Sequence, residues 1–213
     1  SGTREAELQR ALADAQGTYD KSAKALSEIR EEAARRLDKA MAAELAPLKM
    51  ERAVFSTAIT PAAAGPDGAD EVAFTVATNP GAPAGPLNKI ASGGELSRFL
   101  LALKVCLTAR TDGLTLIFDE IDRGVGGATA DAVGRRLKAL AAQAQILVVT
   151  HSPQVAALGN HHWRVEKQVQ NDQTTSTVIH LALDDRVTEL ARMLAGDTIT
   201  DAAREAAKAL LSG

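Results

Sequence analysis

The chain has 213 residues, 46% of them hydrophobic and only 3% aromatic, with a formal net charge of −3. One domain plus an appendage is the natural organisation, with an aliphatic, alanine-rich core and no global electrostatic case for a nucleic-acid partner. The single cysteine, Cys106, excludes an intramolecular disulfide, and no stretch has the length or flanks of a membrane span or signal peptide, so the chain reads as cytoplasmic.

Ser1-Gly2 reads as an expression remnant ahead of a helix that starts without a natural cap. Residues 3–46 contain neither proline nor a strand pattern. Leu8, Leu12, Ala15, Tyr19, Leu26, Ile29 and Ala33 follow 4-3 spacing, with Ser22 the one polar interruption. The register slips by one at Arg36, and Leu37, Met41, Leu45 and Leu48 continue it. The pattern is long for a surface helix, so a coiled-coil helix is expected over 1–48, with no second helix of matching length to pair it. Pro47 ends it. Val54 to Thr60 and Val72 to Thr78 read as strands around a Pro/Gly/Ala loop at 61–70. A second loop, 79–88, runs on and should hold the next segment at the surface.

That segment is Ile90-Ala-Ser-Gly-Gly-Glu-Leu-Ser-Arg98, directly ahead of a helix whose apolar face is Leu96, Phe99, Leu100, Leu103 and Leu107. Ser92 and Glu95 fit a capping box. Capping leaves Gly93 and Gly94 unexplained, because two glycines in a first turn cost up to about 1 kcal/mol each against alanine. Glycine permits close approach to the backbone, and a helix start with free N–H groups attracts anions. A phosphate-contacting helix start is therefore the sharper reading. Cys106, farther along the helix, reads as a small core residue.

Leu114 to Phe118 is a buried-strand pattern that ends in Asp119 and Glu120. Magnesium takes carboxylate and phosphate oxygens, so one acid can serve the metal while its neighbour polarises an attacking water. Residues 128–142 read as a helix, and Ile146 to Val149 as a second strand, ending in Thr150 and His151. Strand, helix and strand in this length make a right-handed crossover with parallel strands. Asp119, Glu120 and His151 then open on one shared carboxyl edge. Beyond them, Trp163 to Lys167 and Thr175 to Leu183 read as a hairpin around Asn171-Asp172. Two helices follow, the first capped by Asp184 or Asp185 and ended by Gly196, the second started by Thr200 or Asp201. His161-His162 with His151 lack the cysteines or carboxylate spacing of a metal site.

No Gly-x-x-x-x-Gly-Lys-Ser/Thr string occurs, so no loop of this chain can cradle the α- and β-phosphates of a nucleotide. Gly124-Val-Gly-Gly127 lacks the lysine and follows the acidic strand, so it is no substitute.

Taken together, Lys89-Ile-Ala-Ser-Gly-Gly-Glu-Leu-Ser-Arg98, Ile117-Phe-Asp-Glu-Ile-Asp122 and Val149-Thr-His-Ser-Pro-Gln-Val155 resemble the carboxyl half of an ABC-type ATPase head. More narrowly they resemble the RecN family of bacterial DNA repair ATPases, relatives of the SMC proteins. Asp122-Arg-Gly-Val-Gly-Gly127 supports the narrower match, since transporter ATPases usually carry a different D-loop and lack the long preceding helix. The resemblance covers most of 47–213. It implies an α/β fold, a carboxyl-terminal lobe with a mainly parallel sheet flanked by helices over 49–213, preceded by the coiled-coil helix at 1–48. That helix is half of an antiparallel insertion, its partner strand lying ahead of this chain.

The resemblance also implies roles, with ATP and Mg²⁺ as cofactors. Asp119 holds the metal, Glu120 positions or deprotonates the attacking water, and His151 contacts the γ-phosphate. Ser92, Gly93 and Gly94 face the γ-phosphate held by a second head, and Asp122 crosses the same interface. Glu95 stands in the nucleotide-facing string and mainly caps; Arg98 is either structural or an interface residue. ATP joins two heads, hydrolysis separates them, and DNA is the ultimate substrate of a cytoplasmic, nucleoid-associated protein acting in double-strand-break repair. The Walker A loop belongs to an amino-terminal lobe, without which this chain is inactive. The alternatives are another SMC-like chromosome ATPase, a transporter-type ATPase and a non-catalytic coiled-coil module.

Overall fold

The structure is a computed structural model that describes residues 2–90, 93–108, 113–170 and 173–213. In chain order it contains α1 (Gly2–Leu45), β1 (Val54–Gly65), β2 (Gly68–Ala77), a short β3 (Gly85–Pro86) and a 3-10 turn at Leu87–Lys89. There follow α2 (Gly93–Thr108), β4 (Thr115–Asp119), α3 (Gly127–Leu140), β5 (Gln145–Val149) and α4 (Pro153–Ala157). The hairpin β6 (Trp163–Gln170) and β7 (Gln173–His180) leads to α5 (Leu183–Ala195) and α6 (Asp201–Ser212). The chain divides into two compact units, residues up to 44 with 52–90, and residues 45–51 with those from 91 onward. The contacts thus do not divide at the expected boundary after residue 48.

In the first unit, α1 lies on the β1–β2 hairpin. The Tyr19 hydroxyl accepts from the Gly65 N–H at 2.9 Å and lies within donating reach of the Gly65 and Gly68 carbonyls. Ser27 donates to Asp70 at 2.7 Å and Arg30 at 3.1 Å, while Asp38 accepts from the N–H and hydroxyl of Thr57. The Ser27 hydroxyl foremost, with Arg30 behind it, holds the Asp70 carboxyl below its ordinary range. A 4-3 stripe suits a hairpin face as well as a partner helix. Here the middle of α1 covers the hairpin, whereas Leu8 and Leu12 near its start stay 64% and 69% exposed. The strands also outrun the expected loop at 61–70. Pairing continues to Pro61 and Asp70 and resumes at Gly65 and Gly68, with the register shifting in between. A proline has no N–H for the ladder and is tolerated at such an irregularity.

In the second unit β4 and β5 are parallel, Thr115 to Asp119 pairing with Gln145 to Val149. They are the one parallel pair among the described residues; the other ladders are antiparallel. The fold is α/β, as the motif order implies. Helix α2 meets β4 where Lys104 Nζ sits 5.1 Å from the centre of the Phe118 ring. Helices α3 and α4 approach closely at Gly134, where a Cβ would lie 2.8 Å from Leu158 Cδ1 and 3.2 Å from Val155 Cα. A further core joins α4, α5 and α6 through Ala157, Leu190, Ala191, Ala203 and Ala207. Its small side chains match the alanine-rich composition.

The carboxyl-terminal helices fall close to expectation. Gly196 ends α5 with a φ of 77°, and Thr200 caps α6 by accepting from the Ala203 N–H at 3.1 Å. Ala182, not Asp184 or Asp185, is the N-cap of α5; both aspartates sit in its first turn, where they favour the helix dipole instead. The expected turn at Asn171-Asp172 lies outside the described residues. Glu189 is buried and accepts from Arg192 at 2.6 and 2.9 Å, with Arg164 at 3.5 Å. Arg192 foremost therefore holds its carboxyl below the ordinary glutamate range. A lowered carboxyl contributes stability above its unfolded value, about 4.3, that is lost as pH falls through the folded value. Glu189→Gln is expected to lower Tm at neutral pH and to flatten the Tm loss on acidification below about pH 4.3. Differential scanning fluorimetry across pH checks both.

Candidate functional site

Asp119 and Val149 are the last paired residues of the parallel ladder, and the Glu120 N–H donates to the Val149 carbonyl at 2.9 Å. Immediately afterward β4 turns away. Glu120 adopts φ 48°, a left-handed conformation that a non-glycine residue rarely takes. The Arg123 N–H closes this turn on the Glu120 carbonyl at 3.0 Å, and Val125 N–H closes the next on Asp122 at 3.2 Å. Strand end and turn together bring Glu120 Oε1 to 3.3 Å from His151 Nε2, with Arg123 Nη1 3.4 Å from Glu120 Oε2. The His151 side chain is 87% exposed. Two reactive side chains from different strands thus meet on an open edge, as parallel pairing requires.

Alternation assigns the faces of this sheet. Phe118 is buried, whereas Ile117, Leu147 and Val149 share the opposite face with Asp119 and are exposed, Ile117 by 62% and Val149 by 52%. Asp119 therefore stands at the carboxyl end of a bare apolar face. One or two carboxylates at such an edge fit magnesium carried in with a nucleotide, which keeps its waters and phosphate ligands. They do not fit an all-protein cage, and no group of three or more metal-binding side chains occurs among the described residues.

Asp122 is tied to the loop that follows β5. It is only 6% exposed, and its Oδ2 accepts from the Thr150 hydroxyl and, at 3.1 Å, from the Ser152 N–H. The Ser152 N–H also reaches Thr150 Oγ1 at 2.9 Å. The reason is chain direction: the turn at Glu120 carries residue 122 back under the loop that follows β5. Thr150 and Ser152, the residues on either side of His151, are thereby tied to the turn after β4. Arg186 braces the same loop from α5. Its Nη2 faces the carbonyls of Ala156, Ala157 and Gly159 at 3.3, 3.2 and 2.8 Å, closing the carboxyl end of the short helix after His151.

Ser92 lies outside the described residues. Of its neighbours, Gly93 has nothing within 4 Å of where a Cβ would stand, whereas at Gly94 a Cβ would lie 2.8 Å from the Arg123 carbonyl oxygen. The Ser97 hydroxyl bonds back to the Gly93 carbonyl at 2.8 Å. Glu95 is half-buried in the first turn of α2. Arg98 is buried, its Nη1 3.6 Å from the same Gly94 position, and its Nε and Nη1 have no hydrogen-bond partner among the described residues. Burial lowers the guanidinium pKa.

This architecture matches solved SMC ATPases. One was determined in work on ATP-driven dimerization and DNA-stimulated activation, and is similar with a TM-score of 0.55 and 15% identity over 81% of this chain and 99% of that one. An Smc head domain with a coiled coil and joint from Pyrococcus yayanosii has a TM-score of 0.58 and 18% identity over 89% of this chain and 36% of its own. Over most of its length the chain shares its fold with these SMC structures. No family model matches the chain. Its sequence is 47% identical over 208 residues to the DNA repair protein RecN of Rickettsia bellii (strain RML369-C), covering 97% of this chain and 38% of that protein. To the RecN protein of Streptomyces coelicolor (strain ATCC BAA-471 / A3(2) / M145) it is 46% identical over 202 residues, 89% of this chain and 35% of that protein. Over nearly its whole length the chain is similar to proteins of the RecN family, and it spans little more than a third of the length of these relatives.

Proposed function

We propose that this chain is the carboxyl-terminal lobe of a RecN-type head that hydrolyses ATP in DNA double-strand-break repair and recombination. The observation that carries the reading is the meeting of Glu120 and His151, beside Asp119, on one carboxyl edge of a parallel strand pair. Asp119 holds Mg²⁺, directly or through water. Magnesium, when bound, neutralises charge on the phosphate oxygens. Glu120 orients the attacking water and accepts its proton, and His151 contacts the γ-phosphate from the neighbouring strand. Ser92, Gly93 and Gly94 face the nucleotide of a second head, so that ATP joins two copies and hydrolysis releases them.

The α- and β-phosphates and the adenine fall to an amino-terminal lobe carrying the Walker A loop. The bare face of Ile117, Leu147 and Val149 is the apolar surface that such a lobe would cover. Exposed Leu8 and Leu12 on α1 suit a coiled-coil partner strand. DNA as substrate follows from the relatives, whose name is DNA repair protein, and a cytoplasmic, nucleoid-associated site of action goes with it. No described helix is long and apolar enough to cross a membrane.

The experiment is ATPase activity of this chain, alone and mixed with a separately made Walker A lobe. Activity is expected only in the mixture. Activity of the chain alone would mean that the phosphates bind elsewhere, and silence in a mixture whose lobes associate would leave a non-catalytic module.

A further inference from the structure

Between the acidic turn and the histidine there are two links, and only one of them involves reactive groups. Past the Glu120 N–H to Val149 bond the two strands have no further ladder to hold them together. Glu120 has turned to a positive φ, and His151 is almost wholly in solvent. An exposed carboxylate–imidazole pair of this kind is weak on its own, since side-chain entropy and screening offset most of its attraction. Something else must hold the edges in register. Asp122 does so: it lies two residues beyond Glu120, and its partners Thr150 and Ser152 are the residues on either side of His151. The second link is buried where the first is exposed.

Burial also bears on what the link is for. Its two donors are a neutral hydroxyl and a neutral N–H. Removing a partner from a buried carboxylate leaves an unsatisfied group, so its geometry is sharply specified. We infer that Asp122 is a positioning residue that, through Thr150 and Ser152, fixes His151 against Glu120. This rests on the proposed hydrolytic role of that pair. A displacement of about 1 Å at such a site can lower turnover by about 100-fold without weakening substrate binding.

The test is steady-state ATP hydrolysis by the complete two-lobe head. Thr150→Val removes one donor at nearly constant shape, and Thr150→Ser restores it. Thr150→Val is expected to lower kcat about 10-fold to 100-fold with KM for ATP within about twofold, and Thr150→Ser to recover kcat to within about threefold. Asp122→Asn, whose amide oxygen accepts from both donors, should stay close to the parent, and Asp122→Ala should match Thr150→Val. Where Asp122→Ala does not fold, the threonine pair decides alone. Adding Asp122→Ala to Thr150→Val should change little further, because one link cannot be broken twice. Glu120→Gln is run beside them. If Glu120→Gln abolishes turnover while Thr150→Val leaves kcat intact, or raises only KM, the positioning role is overturned. If Glu120→Gln itself is fully active, the hydrolytic reading fails instead.

Discussion

Glu120→Gln in the complete head is expected to cut ATP turnover by at least about 100-fold while leaving nucleotide affinity unchanged. The substitution preserves the shape of the side chain. Its amide can still meet His151 at the 3.3 Å and Arg123 at the 3.4 Å now measured to the carboxylate. It cannot accept a proton. General base action typically contributes about 100-fold to 10,000-fold, and phosphoryl transfer otherwise depends on positioning and charge stabilisation, which the variant retains. The φ of 48° at Glu120 belongs to the backbone and is as accessible to glutamine. Turnover and the binding of a fluorescent nucleotide, measured on the same preparation, separate the outcomes. Lost turnover with intact binding assigns the proton transfer to Glu120. Unchanged turnover removes it as the catalytic group, and lost binding would make it a ligand of the nucleotide or metal.

The chemistry of this edge was legible because a parallel strand announces itself. An apolar run that stops at Asp119-Glu120, and another that stops at His151, have only one way to pair once a crossover helix joins them. The register then follows, and Asp119 opposite Val149 is its consequence. Asp122 was not legible in the same way. In sequence it begins a glycine-rich loop, and its burial depends on a threonine 28 positions away that nothing local connects to it. The first unit was obscure for a related reason. Tyr19 looks like a seam residue of a heptad helix, and Ser27, Arg30 and Asp38 like its outer positions, yet each bonds to the β1–β2 hairpin. Polar contacts of this kind carry no periodicity. Pro61 likewise argued for a loop, and only the pairing partner tells that the ladder resumes beyond it.

Gly93 and Gly94 looked alike in sequence, and their separation gives the second large effect. Gly94→Ala is expected to destabilise the lobe by about 1–3 kcal/mol, because its Cβ would meet a main-chain carbonyl oxygen, that of Arg123, at 2.8 Å. Neither α2 nor the turn after β4 can yield without moving the other, and that turn holds Glu120 and Asp122. Turnover should fall with stability. Gly93→Ala has no such conflict, as nothing lies within 4 Å of its Cβ position. Alanine favours a helix by up to about 1 kcal/mol over glycine, so Tm should stay level or rise. If Gly93 exists only for this lobe, the variant is a silent or stabilising change. If it exists so that a nucleotide on a second head can approach the start of α2, ATP-driven pairing is lost from a protein at least as stable as the parent. Thermal melts and sedimentation with ATP on the Glu120→Gln background, where pairing would persist, distinguish the two. Pairing that survives Gly93→Ala unchanged would remove that glycine from the interface, and retained stability in Gly94→Ala would mean the turn can shift without penalty.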